Sequence, residues 1–450
     1  MKTLSIIFRV LGFIGNVLGD FFCSLVDALQ KREGFQAKFG SETDIASRFN
    51  KGFVISKHRR LTRKASYENL LIGGPTGSGK TTTLLTKVIW EIKNCSLIIN
   101  DPSGELYHLT SGFLSQTHAI KTLNFSDSSK SSGFNPLERI AKQTDAHKVA
   151  EILVASQQKG HGGSDPFWGL QSQALITLFI QLLLYQENKY RNMANLVDLV
   201  NRFASAPKAI DRIAVKTGDA KLLSEYKALI SFPQRTLQNI VASVKASLKI
   251  FTDDEVARVT SFDSISFSEL RKTPTVLYIH NSVGDQRYFS TLNAIFFEQL
   301  YSFLLSELPD KDALDVFFVL EEASSLYIPL LPLALANLRK YRSGSIICTQ
   351  SPSQLKTLYG NDFQNIVTNC QTKIYLAGQT DPEVLHHLET LGGKYVSTDK
   401  KGIDRITNLI SADEIRLLEK NRSLIVSSNN PLIKGRLSPY YESAKYRAYA

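Results

Sequence analysis

Cysteine is scarce, with four in 450 residues at Cys23, Cys95, Cys348 and Cys370. No two stand in C-x-x-C spacing and all lie far apart, which argues against a zinc site or a disulfide scaffold and fits a reducing compartment. Long uncharged apolar runs are missing too: none reaches the ~20 residues that a clean transmembrane helix needs. There is no internal repeat and no low-complexity segment. What remains is a globular composition, 43% hydrophobic and 21% charged, of a length that suits two domains or one large domain with an insertion. The net charge of +11 suits a phosphate-rich partner or an anionic membrane surface, and requires neither.

The most apolar region, residues 1–30, is interrupted by Arg9, Asp20 and Asp27. At 100° per residue, Lys2, Arg9, Asn16, Asp20 and Asp27 fall within roughly 20° of one line. Leu4, Ile7, Leu11, Ile14, Leu18, Phe22 and Leu25 occupy the other side. The pattern predicts an amphipathic helix. It would lie in a membrane interface, span with its polar stripe against a neighbour, or pack on a soluble partner. A cleaved signal peptide fits poorly, because Arg9 interrupts the apolar region. Lys31, Arg32, Lys51, Lys57, Arg59, Arg60, Arg63 and Lys64 follow, a basic approach that suits anionic headgroups, nucleic acid or plain solvent.

The most informative stretch is Gly74-Pro75-Thr76-Gly77-Ser78-Gly79-Lys80-Thr81-Thr82. It matches G-x-x-x-x-G-K-[ST] and stands between an apolar strand pattern at 69–73 and helical spacing over 81–93, the context a phosphate-binding loop requires. Glycines let backbone N–H groups curl around phosphate oxygens at a helix N-terminus. Lys80 is then the expected ligand of the β and γ phosphates, and the Thr81 hydroxyl of Mg²⁺. The expected substrate is a nucleoside triphosphate, ATP.

Further strands are expected at 96–100, 122–125, 275–280, 315–320, 345–350 and 372–376. Asp101 and Glu105 follow the second; Asp101 also suits a helix N-cap ahead of Pro102. Glu321 and Glu322 end a buried strand, where such an enzyme holds Mg²⁺ (Glu321) and orients the attacking water (Glu322). Gln350, at a strand end, is a candidate γ-phosphate sensor, and Arg339 or Arg342 a candidate arginine finger for a neighbouring subunit. Residues 138–266 read as helical with few strand signals, an inserted all-α domain. The tail beyond Asn430 reads as irregular and basic.

Gly74 to Thr81, Asp101-Pro-Ser-Gly-Glu-Leu-Tyr107, Phe134-Asn-Pro-Leu137, Asp165-Pro-Phe-Trp168, Leu320-Glu-Glu322, the run 334–350, Ser353 to Gly360 and Asn369 to Leu376 occur in one order. In this the chain resembles the type IV secretion coupling proteins, TraG/TraD-like relatives of ring ATPases of the FtsK and HerA type. The resemblance covers about residues 45–430. It implies an α/β fold: a RecA-like P-loop NTPase domain (45–137 and 267–430) with an inserted all-α domain (138–266), an N-terminal membrane-associating helix (1–32) and a tail (431–450). It further implies a homo-hexamer on the cytoplasmic face of the bacterial inner membrane. ATP hydrolysis would deliver single-stranded DNA with its relaxase and relaxosome proteins to the secretion channel proteins. Alternatives are a nucleotide-gated receptor for protein effectors or relaxosome proteins, and an FtsK/HerA-like translocase. Carried over by position, Lys80, Thr81, Glu321, Glu322 and Gln350 are the ATPase residues and Arg339 the finger. The chain departs from the family in three places. Glu321 stands where Asp is usual, and Ser103 where Lys is common. Residues 1–30 leave room for one helix where relatives carry two.

Overall fold

The computed structural model describes residues 36–158, 166–281, 283–398 and 401–450. The amphipathic helix expected in residues 1–30, and Asp165, lie outside them.

Eleven strands are found among the described residues: β1 Leu70–Gly73, β2 Cys95–Asn100, β3 Ala119–Leu123, β4 Thr275–Ile279, β5 Asp315–Leu320, β6 Ser343–Thr349, β7 Thr372–Leu376, β8 Lys394–Thr398, β9 Asp404–Asn408, β10 Arg422–Ser427 and β11 Ile433–Arg436. Nine form one sheet in the order β11-β10-β7-β1-β6-β5-β2-β4-β3, and β8 pairs with β9 alone. From β7 to β3 every pairing is parallel. Strands β10 and β11 extend one edge antiparallel.

Parallel strands covered on both faces read as continuous apolar runs, and β1, β2, β4, β5 and β6 are buried at every position. Their alternation still sorts side chains by face, because successive Cβ atoms point opposite ways. Leu71, Ile98, Leu277, Phe318 and Ile347 enter one core. Leu70, Ile72, Leu97, Ile99, Val276, Phe317 and Ile346 enter the other.

The first core continues into a helical region inserted between the neighbouring strands β3 and β4, whose helices run from Gln143–Gln158 to Asp254–Val259. Among the described helices, Pro166–Leu184 is the one long and apolar enough to cross a membrane, but 61% of its most apolar window is buried. It is the central helix of this insertion, packed on Gln143–Gln158 and Gln234–Leu248.

Two expectations shift. The third strand, expected at 122–125, lies at Ala119–Leu123. It is an edge strand and mostly accessible, so its apolar signal comes from Phe125, which enters the core beyond its end. The tail is not irregular. β11 pairs with β10, and the last residues lie on the helix that follows the phosphate-loop motif: Trp90 stacks on Tyr446 at 5.9 Å and meets Tyr440 and Tyr449 edge-on. Buried Lys87, on the same helix, donates to the Ser438 carbonyl and, at 3.1 Å, to its hydroxyl. Burial pushes the Lys87 pKa down to about 8.

Candidate nucleotide site

Parallel pairing brings the carboxyl ends of the strands to one edge, where open α/β sheets build their sites. Gly73 is level with Thr349 and Tyr375, and Asn100 with Leu320 and Ile279. The residues that follow these ends are Gly74, Gln350, Asp101, Glu321 and Glu322, so positions scattered over 280 residues become neighbours through strand order.

The loop after β1 is shaped by two left-handed glycines, Gly77 (φ 77) and Gly79 (φ 89). At Gly79 a Cβ would also stand 3.1 Å from the Thr83 methyl, so a side chain there meets both strain and crowding. The helix begins with a loosely wound π-type turn, Lys80–Leu85, before the regular Thr86–Glu91; such turns recur at functional sites. Lys80 Nζ donates to the carbonyls of Gly74 (2.5 Å) and Pro75 (3.3 Å). Thr81 donates its hydroxyl to Glu321 Oε1 at 2.8 Å.

Glu321 and Asp101 form a buried carboxyl pair. Glu321 N–H donates to the Asn100 carbonyl at 3.2 Å, fixing the two strand ends together. Burial raises the Glu321 pKa to about 8, with the Asp101 charge adding to it. Asp101 is raised in the same direction, chiefly by burial and against a bond from the Tyr107 amide. That bond, 2.7 Å to Asp101 Oδ2, replaces the N-cap expected of Asp101. The helix starts later, at Glu105, behind left-handed Gly104 (φ 75), so Asp101 holds its first turn from four residues upstream. Glu322 Oε1 accepts from the Ser324 hydroxyl and Oε2 from Gln350 Nε2 at 3.4 Å.

Lys80, Thr81, Glu321, Glu322 and Gln350 line a cavity of about 690 Å³ together with Pro102, Ser103, Glu105 and Gln286. Others of about 720 and 940 Å³ lie elsewhere, so chemistry and not size singles this one out. A nucleotide with Mg²⁺ fits the donor set. Among the described residues, Ser78 Oγ in the loop and Glu321 Oε2 after β5 are buried with no partner, beside a loop that carries Lys80 and Thr81.

Two residues were missed from sequence. Gln286 opens the helix Gln286–Leu304 in no motif. Gln379, buried just after β7, donates from Nε2 to the carbonyls of Gly73 (3.0 Å) and Leu376 (2.9 Å), supporting the loop from below. A polar residue just past a strand end, as with Gln350, was the available signal for it.

The candidate fingers stand apart from this cavity. Both precede β6, whereas Gln350 follows it, so a strand of about 20 Å separates them from the site of their own chain. Arg342 is fully engaged, with Nε on Asp315 Oδ1 at 2.9 Å and Nη1 on the carbonyls of Asp310 and Lys311. Arg63 and Tyr67 hold the other Asp315 oxygen. Arg339 has a 67% exposed side chain and a single ion pair, to Glu68 at 2.7 Å.

Fold and site together define a parallel α/β protein with a glycine-rich phosphate-type loop, paired acids on the adjoining strands and an inserted helical region. Residues 31–450 match the family described as Type IV secretory system Conjugative DNA transfer, and the chain belongs to that family. It is similar to protein VirD4 of Agrobacterium fabrum, 23% identical over 412 residues that cover 84% of this chain and 59% of the relative. It is 25% identical to the conjugal transfer protein TraG of Escherichia coli over 364 residues, 74% of this chain and 56% of the relative. The chain thus spans just over half the length of these curated relatives. Among solved structures, the coupling protein TrwBdeltaN70 in its unbound form superposes with a TM-score of 0.69 at 19% identity, covering 89% of this chain and 93% of that one. TrwB in complex with ADP and Mg²⁺ gives 0.67 at 18%, covering 86% and 89%. At such identities the likeness is one of fold.

Proposed function

We propose that this chain is an ATP-hydrolysing coupling protein. In this reading a RecA-like domain uses ATP turnover to recruit single-stranded DNA, with its attached relaxase, and pump it to a type IV secretion channel. It works as a ring at the cytoplasmic face of the bacterial inner membrane, held there by the N-terminal helix. The observation that carries the reading is the meeting of Lys80, Thr81, Glu321, Glu322 and Gln350 at one sheet edge, in a chain of the conjugative DNA transfer family.

In this reading the geometry supports the following roles. Lys80 exchanges its loop carbonyls for the β and γ phosphates of the substrate, while the curled amides of 77–81 bind the same oxygens. Thr81 and Glu321, already in contact, hold Mg²⁺, which neutralises phosphate charge when bound. Glu322, steadied by Gln350, orients water and accepts its proton. Arg339 serves the neighbouring subunit.

One observation favours a slower, receptor-like protein that recruits relaxosome proteins without pumping: Glu321 stands where the family usually carries the shorter Asp, which moves the carboxylate out by ~1.5 Å. Turnover measurements separate the readings. Lys80→Ala abolishes hydrolysis in a folded protein, and Glu322→Gln binds ATP but turns over at least ~10²-fold more slowly. Single-stranded DNA accelerates the parent. Normal hydrolysis by Lys80→Ala sinks the ATPase reading, and turnover indifferent to DNA selects the receptor.

A further inference from the structure

We propose that the cavity of about 940 Å³ beside the nucleotide site is a groove for single-stranded nucleic acid, with one wall shared between the two sites. This rests on the pumping function proposed above and says where the strand lies. The groove runs between the inserted helices and the sheet domain. One side is formed by the helix Gln143–Gln158 and the turn Lys249–Thr252, the other by the start of the helix Gln286–Leu304 and the segment after β5.

Its chemistry suits a phosphate backbone carrying bases. Lys249 and Arg287 line it, both exposed and neither in an ion pair among the described residues. Among the described residues that line it none is acidic, and Asp253 is the acid whose charge acts on the Tyr288 hydroxyl. By contrast, Glu105, Glu321 and Glu322 line the nucleotide cavity, and Glu138, Asp145, Asp263 and Glu298 line the third. Tyr288 is 48% exposed and braced edge-on by Phe289 at 5.0 Å; an exposed ring beside cations is the recurring platform for an unpaired base. The Thr291 hydroxyl adds a neutral donor, while that of Ser290 already donates to the Arg287 carbonyl at 2.7 Å. The set reads no base edge, as a pump indifferent to sequence requires.

The shared wall links groove to hydrolysis. Gln286 lines both cavities, and Arg287 and Tyr288 follow it directly. In the segment after β5, Ser325 lines the groove while its amide (3.1 Å) and hydroxyl (2.8 Å) both donate to the Glu322 carbonyl. A shift at Ser325 is therefore felt at the backbone of the water-orienting acid, and one at Gln286 moves part of the wall of the nucleotide cavity.

The test titrates the full chain with a fluorescent oligo(dT) over a series of salt concentrations. Lys249→Gln with Arg287→Gln lowers the slope of log K against log[salt] by about 1.4, at ~0.7 per phosphate on a single strand. Tyr288→Ala weakens binding about five-fold or more at unchanged slope, and Tyr288→Phe restores it. Lys245→Gln is the control: exposed on the helix Gln234–Leu248 that leads into the turn Lys249–Thr252, and outside the groove, it leaves the slope alone. All these side chains are exposed, and melting temperatures check folding. An unchanged slope in the double variant, an equal effect from Lys245→Gln, or loss of binding to an acidic protein in place of oligo(dT) overturns the groove while the ATPase stands. A parent chain that hydrolyses ATP yet binds no oligo(dT) at low salt overturns both the groove and the pump.

Discussion

Glu321 and Asp101 bring two carboxyl groups into one buried spot, and two negative charges there repel with little solvent to screen them. One proton is therefore retained, and Glu321 holds it up to a pKa of about 8. The consequence for stability has a definite sign. Unfolded, the carboxyl releases its proton near its ordinary value of 4.5; folded, it keeps it until about 8. Between these values the native state binds more protons, so this group's contribution falls as pH rises and is lowest above 8. Glu321→Gln removes the penalty. Without nucleotide or metal, the variant is expected to melt above the parent at pH 8.5, with the difference shrinking towards zero near pH 5. Equal melting shifts at both pH values would mean that no proton is shared here.

The helix after the phosphate loop is held from two ends: its first turn forms the site, and its far turn lies under the C-terminal tail. Trp90 is fully buried among Tyr440, Tyr446 and Tyr449. Glu91 joins Arg60 (2.7 Å) to Lys445. Trp90→Ala is expected to destabilise the chain by about 3–5 kcal/mol, the usual result of emptying a large aromatic site. Tyr441→Ala, 53% exposed on the same tail, should stay within about 0.5 kcal/mol. Chemical denaturation of the two variants measures both. None of this docking was legible from sequence, because an aromatic tail has no period until its partner is known. The same holds for β11, which alternates buried and exposed over only four residues. The central strands were legible because burial on both faces leaves unbroken apolar runs, as in Asp315–Leu320. The phosphate loop was legible because its glycines and lysine are contiguous. Gln286 was not, since it opens a helix in no motif, and Gln379 was marked only by its place just past a strand end.

At the scale of the whole molecule, Arg339 as the proposed finger sets a requirement that one chain does not meet. It lies before the amino end of β6, about 20 Å from the edge where its own Lys80 sits, and among the described residues its exposed guanidinium pairs with Glu68 alone. An arginine so placed contributes to hydrolysis only in a neighbour's site, which needs a head-to-tail contact between copies, the kind that closes into a ring. Arg339→Ala and Lys80→Ala should each be inactive alone, for different reasons: one lacks the finger it lends, the other the lysine it keeps. Mixed and allowed to reassemble, they differ from two dead proteins. Wherever an Arg339→Ala subunit, with Lys80 intact, receives a finger from a Lys80→Ala neighbour, a complete site forms. In a random equal mixture that holds for about a quarter of the interfaces, so recovery of turnover up to about 25% of the parent is expected if sites act independently. A mixture as inactive as its parts, with assembly verified by sedimentation, would remove Arg339 from the reaction and return the role to another cation. Recovery would establish that the site is completed only between subunits, and that the ring is part of the catalyst.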